Sequence, residues 1–71
     1  MVSDMPVESR VGASLAALRD SAGLSQQQLA DRAGTPLSTI VGLEQGSIEP
    51  PVSLVARLSA TIAACLREER E

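Results

Sequence analysis

The sequence contains no phenylalanine, tyrosine, tryptophan or histidine, and its one cysteine is Cys65. Without aromatic rings, the core must be built from leucine, isoleucine, valine and alanine, and single-stranded bases have no platform on which to stack. Without histidine, and with one isolated thiol, neither a zinc site nor a nucleophile–base pair has candidate residues. We therefore expect no enzymatic activity, no catalytic residue, no metal and no cofactor.

Long apolar runs are also missing. No stretch approaches the roughly 20 apolar residues of a membrane span, and the N-terminus lacks the basic start and apolar run of a signal peptide. A single cysteine cannot form an internal disulfide and fits a reducing compartment. These features predict a cytoplasmic protein that is not associated with a membrane.

Positive charge is scarce, and there is no lysine. Six arginines face nine acidic residues, which gives a net charge of −3. Between residues 24 and 52 the only basic residue is Arg32, against Asp31, Glu44 and Glu49. Because non-specific affinity for DNA comes mainly from cations that neutralise phosphates, this balance argues against strong phosphate binding.

The length allows one small domain. A chain of 71 residues buries only about 60% of its unfolded surface, so its stability is marginal without a good core or a partner. We expect residues 1–6 to form a flexible tail and residues 7–71 to form a single domain.

The middle of the chain carries start and stop signals for two short helices. Ser25 is a good N-cap, and Gln28 three residues later completes a capping-box pattern. Gly34 closes the first helix, since glycine accepts the left-handed conformation. Thr35 then caps the next helix, with Pro36 in its first turn.

Apolar periodicity predicts a further helix on each side. Val11, Leu15, Leu18 and Ala22 repeat at helical spacing before this pair. A long helix, from about 52 to 69, follows it. The residues expected to form the core are Leu15, Leu18, Leu29, Ile40, Leu43, Val55, Leu58 and Ile62.

This arrangement resembles the DNA-binding domain of the phage lambda repressor and Cro family. The residues that carry the resemblance are Ser25-Gln26-x-x-Leu29-Ala30, Gly34 and Ser38-Thr39-Ile40-x-x-Leu43-Glu44-x-Gly46, with supporting positions between 11 and 62. The resemblance implies a small all-α domain of four to five helices, with a helix-turn-helix at about 25–45. It also implies that a recognition helix at 36–45 enters the major groove of a double-stranded DNA operator. A bacterial or phage-encoded protein, associated with the nucleoid, is what the resemblance implies for origin and location.

The resemblance also implies roles for individual residues. Arg19 and Glu44 match a structural ion pair of the family. The residues expected at the DNA are Gln26, Arg32, Thr35, Leu37, Ser38, Thr39, Val41, Gly42 and Gln45. The outward face of the recognition helix is expected to carry Leu37, Ser38, Val41, Gly42 and Gln45. Of these, Leu37 and Val41 offer only apolar contact. In the following loop, Ser47, Ile48 and Glu49 stand where relatives usually carry cations.

The C-terminal helix has an apolar arc wider than the stripe that covers a core, which suggests a second buried contact. We expect this helix to form a homodimer. The residues assigned to the interface are Leu54, Ala56, Ala60, Ala63, Cys65 and Leu66.

Two functions remain open at this point. The first is a sequence-specific transcription regulator, of repressor or controller type, that binds duplex DNA as a dimer. The second is a protein-interaction module on the same fold, such as an antiactivator or adaptor with weak or lost DNA binding, whose partner is another regulatory protein. The acidic balance and the apolar outward face favour the second, whereas the motif favours the first.

Overall fold

The computed structural model describes the backbone of residues 7–70 and the side chains of residues 10–68. This part of the chain forms four helices and no strand: α1 (Val7–Ser21), α2 (Gln26–Ala33), α3 (Leu37–Gln45) and α4 (Val52–Arg70). The all-α fold expected from the sequence is confirmed. The expected tail at residues 1–6 lies outside the described residues.

Local signals define both ends of α2. The Ser25 hydroxyl accepts from the Gln28 amide at 3.0 Å, and the Gln28 side chain accepts from the Ser25 amide at 2.8 Å. Gly34 takes the left-handed conformation, with φ of 67°. The Thr35 amide then donates to the Ala30 carbonyl at 3.0 Å and closes the last turn. The predicted capping box and glycine stop are both present.

The start of α3 differs from the prediction that Thr35 caps it. The N-cap is Pro36, and no side chain makes a capping hydrogen bond there. Pro36 has an extended backbone, with ψ of 144°, so it precedes the helix instead of forming its first turn, and α3 begins one residue later than expected. A left-handed glycine, Gly46, ends α3.

The core lies where α2, α3 and α4 meet the inner face of α1. Six of the eight predicted core residues are buried there, and Ala22, Leu24, Ala30 and Cys65 join them. The six are Leu15, Leu29, Ile40, Leu43, Leu58 and Ile62.

The prediction for Leu18 was wrong, and that for Val55 was only partly right. Leu18 is 46% exposed, and Val55 is half-buried. Both lie along the seam between α1 and α4, where an open cleft replaces close packing. Apolar periodicity assigns a residue to the inner side of its helix, but it does not show how tightly the neighbouring helix closes over that side.

Close packing between α1 and α3 depends on Gly12. A Cβ atom at this position would lie 2.0 Å from the Leu43 carbonyl oxygen and 3.1 Å from the Glu44 Cα. Both neighbours are backbone atoms inside a helix, so they cannot rotate away. The absent side chain is therefore what allows α3 to lie directly against α1.

We expect Gly12→Ala to destabilise the domain by about 2–3 kcal/mol, although alanine favours helices more than glycine does by about 1 kcal/mol. The matched control is Gly42→Ala, because a Cβ there meets only the Ile48 side chain at 3.3 Å. The control should remain within about 1 kcal/mol of the wild type. Urea unfolding checks both variants, and equal midpoints for the two would contradict the proposed packing.

Candidate nucleic-acid interface

An ion pair between Arg19 and Glu44 fixes the position of α3. The Arg19 Nε lies 2.7 Å from Glu44 Oε2, and the Nη2 donates to Oε1 at 3.0 Å. The two side chains are only 16% and 8% exposed. The third nitrogen of the guanidinium, Nη1, donates to the Leu24 carbonyl at 2.7 Å. One arginine in α1 therefore holds both the end of α3 and the chain that leads into α2.

Gln26 adds the start of α2 to this network. Its amide nitrogen donates to Glu44 Oε1 at 3.0 Å, so that the carboxylate accepts three hydrogen bonds. An amide group carries two N–H donors and a carbonyl oxygen. Gln26 therefore keeps one donor and its acceptor for a further partner, such as a phosphate.

The charged form of Arg19 is favoured by this environment. Hydrogen bonding to Glu44 raises the pKa of Arg19, and the negative charges of Glu44 and Asp20 act in the same direction, while partial burial opposes them. A raised pKa of a basic group contributes stability at every pH below its ordinary value. The guanidinium therefore stays charged throughout the neutral range and loses its proton only under strongly alkaline conditions.

The outward side of α3 presents four of the predicted contact residues. Leu37, Ser38 and Gln45 are exposed, with Leu37 at 38%, and Val41 is half-buried beside them. Helix α3 carries a hydroxyl near its start and an amide at its end, with apolar side chains between them. Thr39 and Thr35 are half-buried and contribute less surface.

The prediction that Gly42 faces outward was wrong. Gly42 is buried, and a Cβ on it would lie 3.3–3.5 Å from three carbon atoms of the Ile48 side chain. The loop folds back because the Ser47 amide and hydroxyl both donate to the Gly42 carbonyl, at 2.9 and 3.2 Å. Ile48, which is 39% exposed, therefore occupies the surface that Gly42 was expected to provide. A helical wheel of α3 alone cannot predict that a residue of the following loop, Ile48, folds back and covers Gly42.

Arg32, the one cation predicted at the interface, is directed towards α4. Its Nη1 lies 3.2 Å from Glu68 Oε1, and both side chains are largely exposed. Exposed ion pairs of this kind contribute about 0–1 kcal/mol, so the guanidinium can exchange partners at little cost. In the arrangement described, however, Arg32 does not contact the outward face of α3.

The surface around α3 is therefore apolar and weakly acidic. Residues 33–56 contain no lysine or arginine, but they include Glu44 and Glu49. Arg19 neutralises Glu44, whereas Glu49 is exposed. Contacts from this face to DNA would rely on hydroxyl, amide and methyl groups.

A family model described as a helix-turn-helix domain matches residues 10–71. The chain belongs to the helix-turn-helix domain family. No curated protein and no solved structure matches the chain. Membership in this family indicates a DNA-binding domain of the type found in transcription regulators, with α2 and α3 as its two motif helices.

The residues predicted at a dimer interface fall on different sides of α4. Cys65 is 5% exposed, and its thiol lies 3.8 Å from the Ala22 carbonyl, so its assignment to an interface was wrong. Leu54 and Leu66 are half-buried and pack against the core. Ala56 and Ala60 are exposed, and Ala63 is half-buried. The sequence pattern shows the width of the apolar arc but does not show which part covers the protomer's own core.

The described residues contain no group of three or more histidine, cysteine or acidic residues placed to hold a metal ion. None of the described helices is long and apolar enough to cross a membrane.

We expect Glu44→Ala to destabilise the helix-turn-helix domain by about 3 kcal/mol, because it leaves a mostly buried guanidinium without its partner. The control is Glu49→Ala, which removes an exposed acid from the same region and should change stability by less than about 0.5 kcal/mol. Urea denaturation at neutral pH measures both. If the two variants unfold at the same urea concentration, Arg19 and Glu44 do not hold the helices together.

Proposed function

We propose that this helix-turn-helix domain is a sequence-specific transcription regulator of repressor type, which acts as a dimer in the bacterial or phage-infected cytoplasm. Helix α3 of each copy would lie in the major groove, with the two half-sites about one helical turn apart. The observation that carries the proposal is the exposed row of Leu37, Ser38 and Gln45 on a helix held by the Arg19–Glu44 pair.

Readout in this proposal is divided between polar and apolar groups. Ser38 and Gln45 can donate to or accept from base edges, whereas Leu37 and Val41 suit the methyl group of thymine. Gln26 would use its remaining N–H on a phosphate and set the register without reading sequence. The few cations leave much of the specificity to these contacts and to DNA shape.

A protein-interaction module is the second candidate, and a specific observation favours it. Leu37 and Ile48 are both more than a third exposed, and they lie on a surface without positive charge between residues 33 and 56. Such a face suits an apolar partner surface as well as it suits a DNA groove. Under this alternative the domain would act as an antiactivator or adaptor for another regulatory protein.

The two candidates differ in how binding depends on salt. If about two to four phosphates are neutralised per dimer, the logarithm of the binding constant should fall with the logarithm of salt concentration with a slope of roughly −2 to −4. Fluorescence anisotropy with a labelled random duplex measures this slope. Absence of binding to any duplex at low salt would exclude the DNA-binding proposal and leave the interaction module.

Substitutions should separate sequence readout from register. Ser38→Ala should lower affinity for the preferred site by about 1 kcal/mol and leave random DNA almost unaffected, since it removes one hydrogen bond to a base. Gln26→Ala should weaken all sequences equally. The matched control is Gln27→Ala, whose side chain is bonded to Asp31 within α2 at 2.8 Å. Equal loss on preferred and random duplexes for Ser38→Ala would contradict its role in readout.

A further inference from the structure

The seam between α1 and α4 is open at the surface. The two helices run in the same direction, because Val11 lies beside Val55 and the Ala22 carbonyl lies beside Cys65 further along. Leu15 closes the floor of the seam, while Ser14, Leu18 and Ser59 line a cleft of about 330 Å³ above it. Within the described part of the chain, an apolar surface that the sequence assigned to the core is therefore left uncovered.

A second cleft continues the first towards the start of α4. It has a volume of about 370 Å³, shares Val11 and Val55 with the first, and adds Pro50, Val52 and Ala56. Val52 is 85% exposed and projects at this end. Among the described residues that line the two clefts, Arg10 is the one that carries a charge. The surface is thus almost uncharged and has a protruding apolar side chain at one end and a depression at the other.

We propose that a second copy of this chain covers the α1–α4 cleft, with a two-fold axis passing near Val55. In a two-fold contact the same patch meets itself, so residue i contacts j and j contacts i. A two-fold rotation about an axis near Val55 places Val52 of one copy over the depression between Leu18 and Ser59 of the other. The residues are suitably spaced, because Val52 and Ser59 lie about 10 Å apart along α4, almost symmetrically about Val55.

The near absence of charge favours a second copy over other occupants. A patch that meets itself brings like charges together, and of the lining residues that the structure describes only Arg10, at the rim, is charged. The same feature gives the cleft little attraction for DNA or for a strongly charged protein segment. Ala56 lines the second cleft, and Ala60 lies one turn further along the same side of α4. Both are exposed, and their small side chains would allow a partner backbone to approach closely.

This arrangement leaves α3 free. On the wheel of α1, Gly12 faces α3 and lies about 100° from Val11, which faces the cleft. Covering the cleft therefore does not cover Leu37, Ser38 or Gln45. The assignment rests on the proposed dimer for its biological meaning, but self-association can be measured without DNA.

The size of the surface predicts a weak dimer. Two adjacent helices, with about 20 Å of α1 and α4 in contact, provide roughly 500 Å² from each copy. The total of roughly 1,000 Å² is at the lower limit for a specific interface. We therefore expect association at roughly tens of micromolar, completed when two copies occupy neighbouring half-sites on DNA.

Sedimentation of charge variants tests the interface. Val52→Glu should weaken self-association at least about tenfold, because the two-fold contact would bury the new carboxylate against apolar groups. The domain should still fold, since Val52 is 85% exposed. The control is Ser53→Glu, an exposed neighbour outside the cleft, which should associate like the wild type. A wild type that stays monomeric to roughly millimolar concentration, or equal association of both variants, would overturn the assignment.

Disulfide trapping tests the position of the axis. Val55→Cys should form a covalent dimer under mild oxidation, because the two thiols would meet at the axis. The control is Arg57→Cys, which is exposed about 200° around α4 and should remain monomeric. The wild type is the negative control, because its Cys65 is buried and should not form a disulfide between two copies. Trapping through position 57 instead of 55 would overturn the assignment.

Failure of the interface and failure of the DNA-binding proposal are distinguishable. Val52→Glu should keep its affinity for a single half-site while losing cooperative binding to a double site. If the wild type forms the trapped dimer but no duplex binds, the interface stands and the DNA-binding proposal fails. If half-sites bind but neither variant changes cooperativity, the interface assignment is wrong.

Discussion

The guanidinium of Arg19 and the carboxylate of Glu44 join three of the four helices at one point. Arg19 belongs to α1, Glu44 to the end of α3, and their remaining hydrogen bonds reach Leu24 and Gln26 at the start of α2. A 71-residue chain without aromatic side chains has a small core, so the angle between its helices is weakly fixed by apolar packing alone. A mostly buried ion pair tolerates little displacement, because separation leaves unpaired charge. This contact therefore fixes the orientation of the outward face of α3.

The charge of this domain is unfavourable for DNA binding, whereas its fold is favourable. Its fold presents a helix suited to the major groove, yet residues 33–56 carry no cation, and Arg32 is paired with Glu68. In the proposed complex, weak phosphate contact would leave the discrimination between sites to short-range groups on α3 and to a second copy that doubles the contact. The proposed weak dimer is consistent with a weakly charged DNA surface, since each half-site would contribute little binding energy alone.

The sequence predicts the helices well because their ends are set locally. Ser25, Gln28, Gly34 and Gly46 make the capping contacts that their positions indicate. The Arg19–Glu44 pair follows from the family resemblance, since no local rule links residues 25 positions apart. The features that the sequence did not predict depend on how helices and loops pack against one another. Leu18 faces an open seam, and Ile48 returns from the loop to cover Gly42. Both outcomes depend on tertiary packing, which the helical period does not contain.

The most direct test of the account follows backbone amides of the labelled domain by NMR while duplex DNA is added at low salt. The account predicts that shifts concentrate at Gln26, along the outward side of α3 from Leu37 to Gln45, and at Ile48. Amides on the far side of α4, around Arg57 and Thr61, should stay unchanged. No shifts at saturating duplex, or shifts confined to the α1–α4 cleft, would contradict the claim that α3 is the surface that reads DNA.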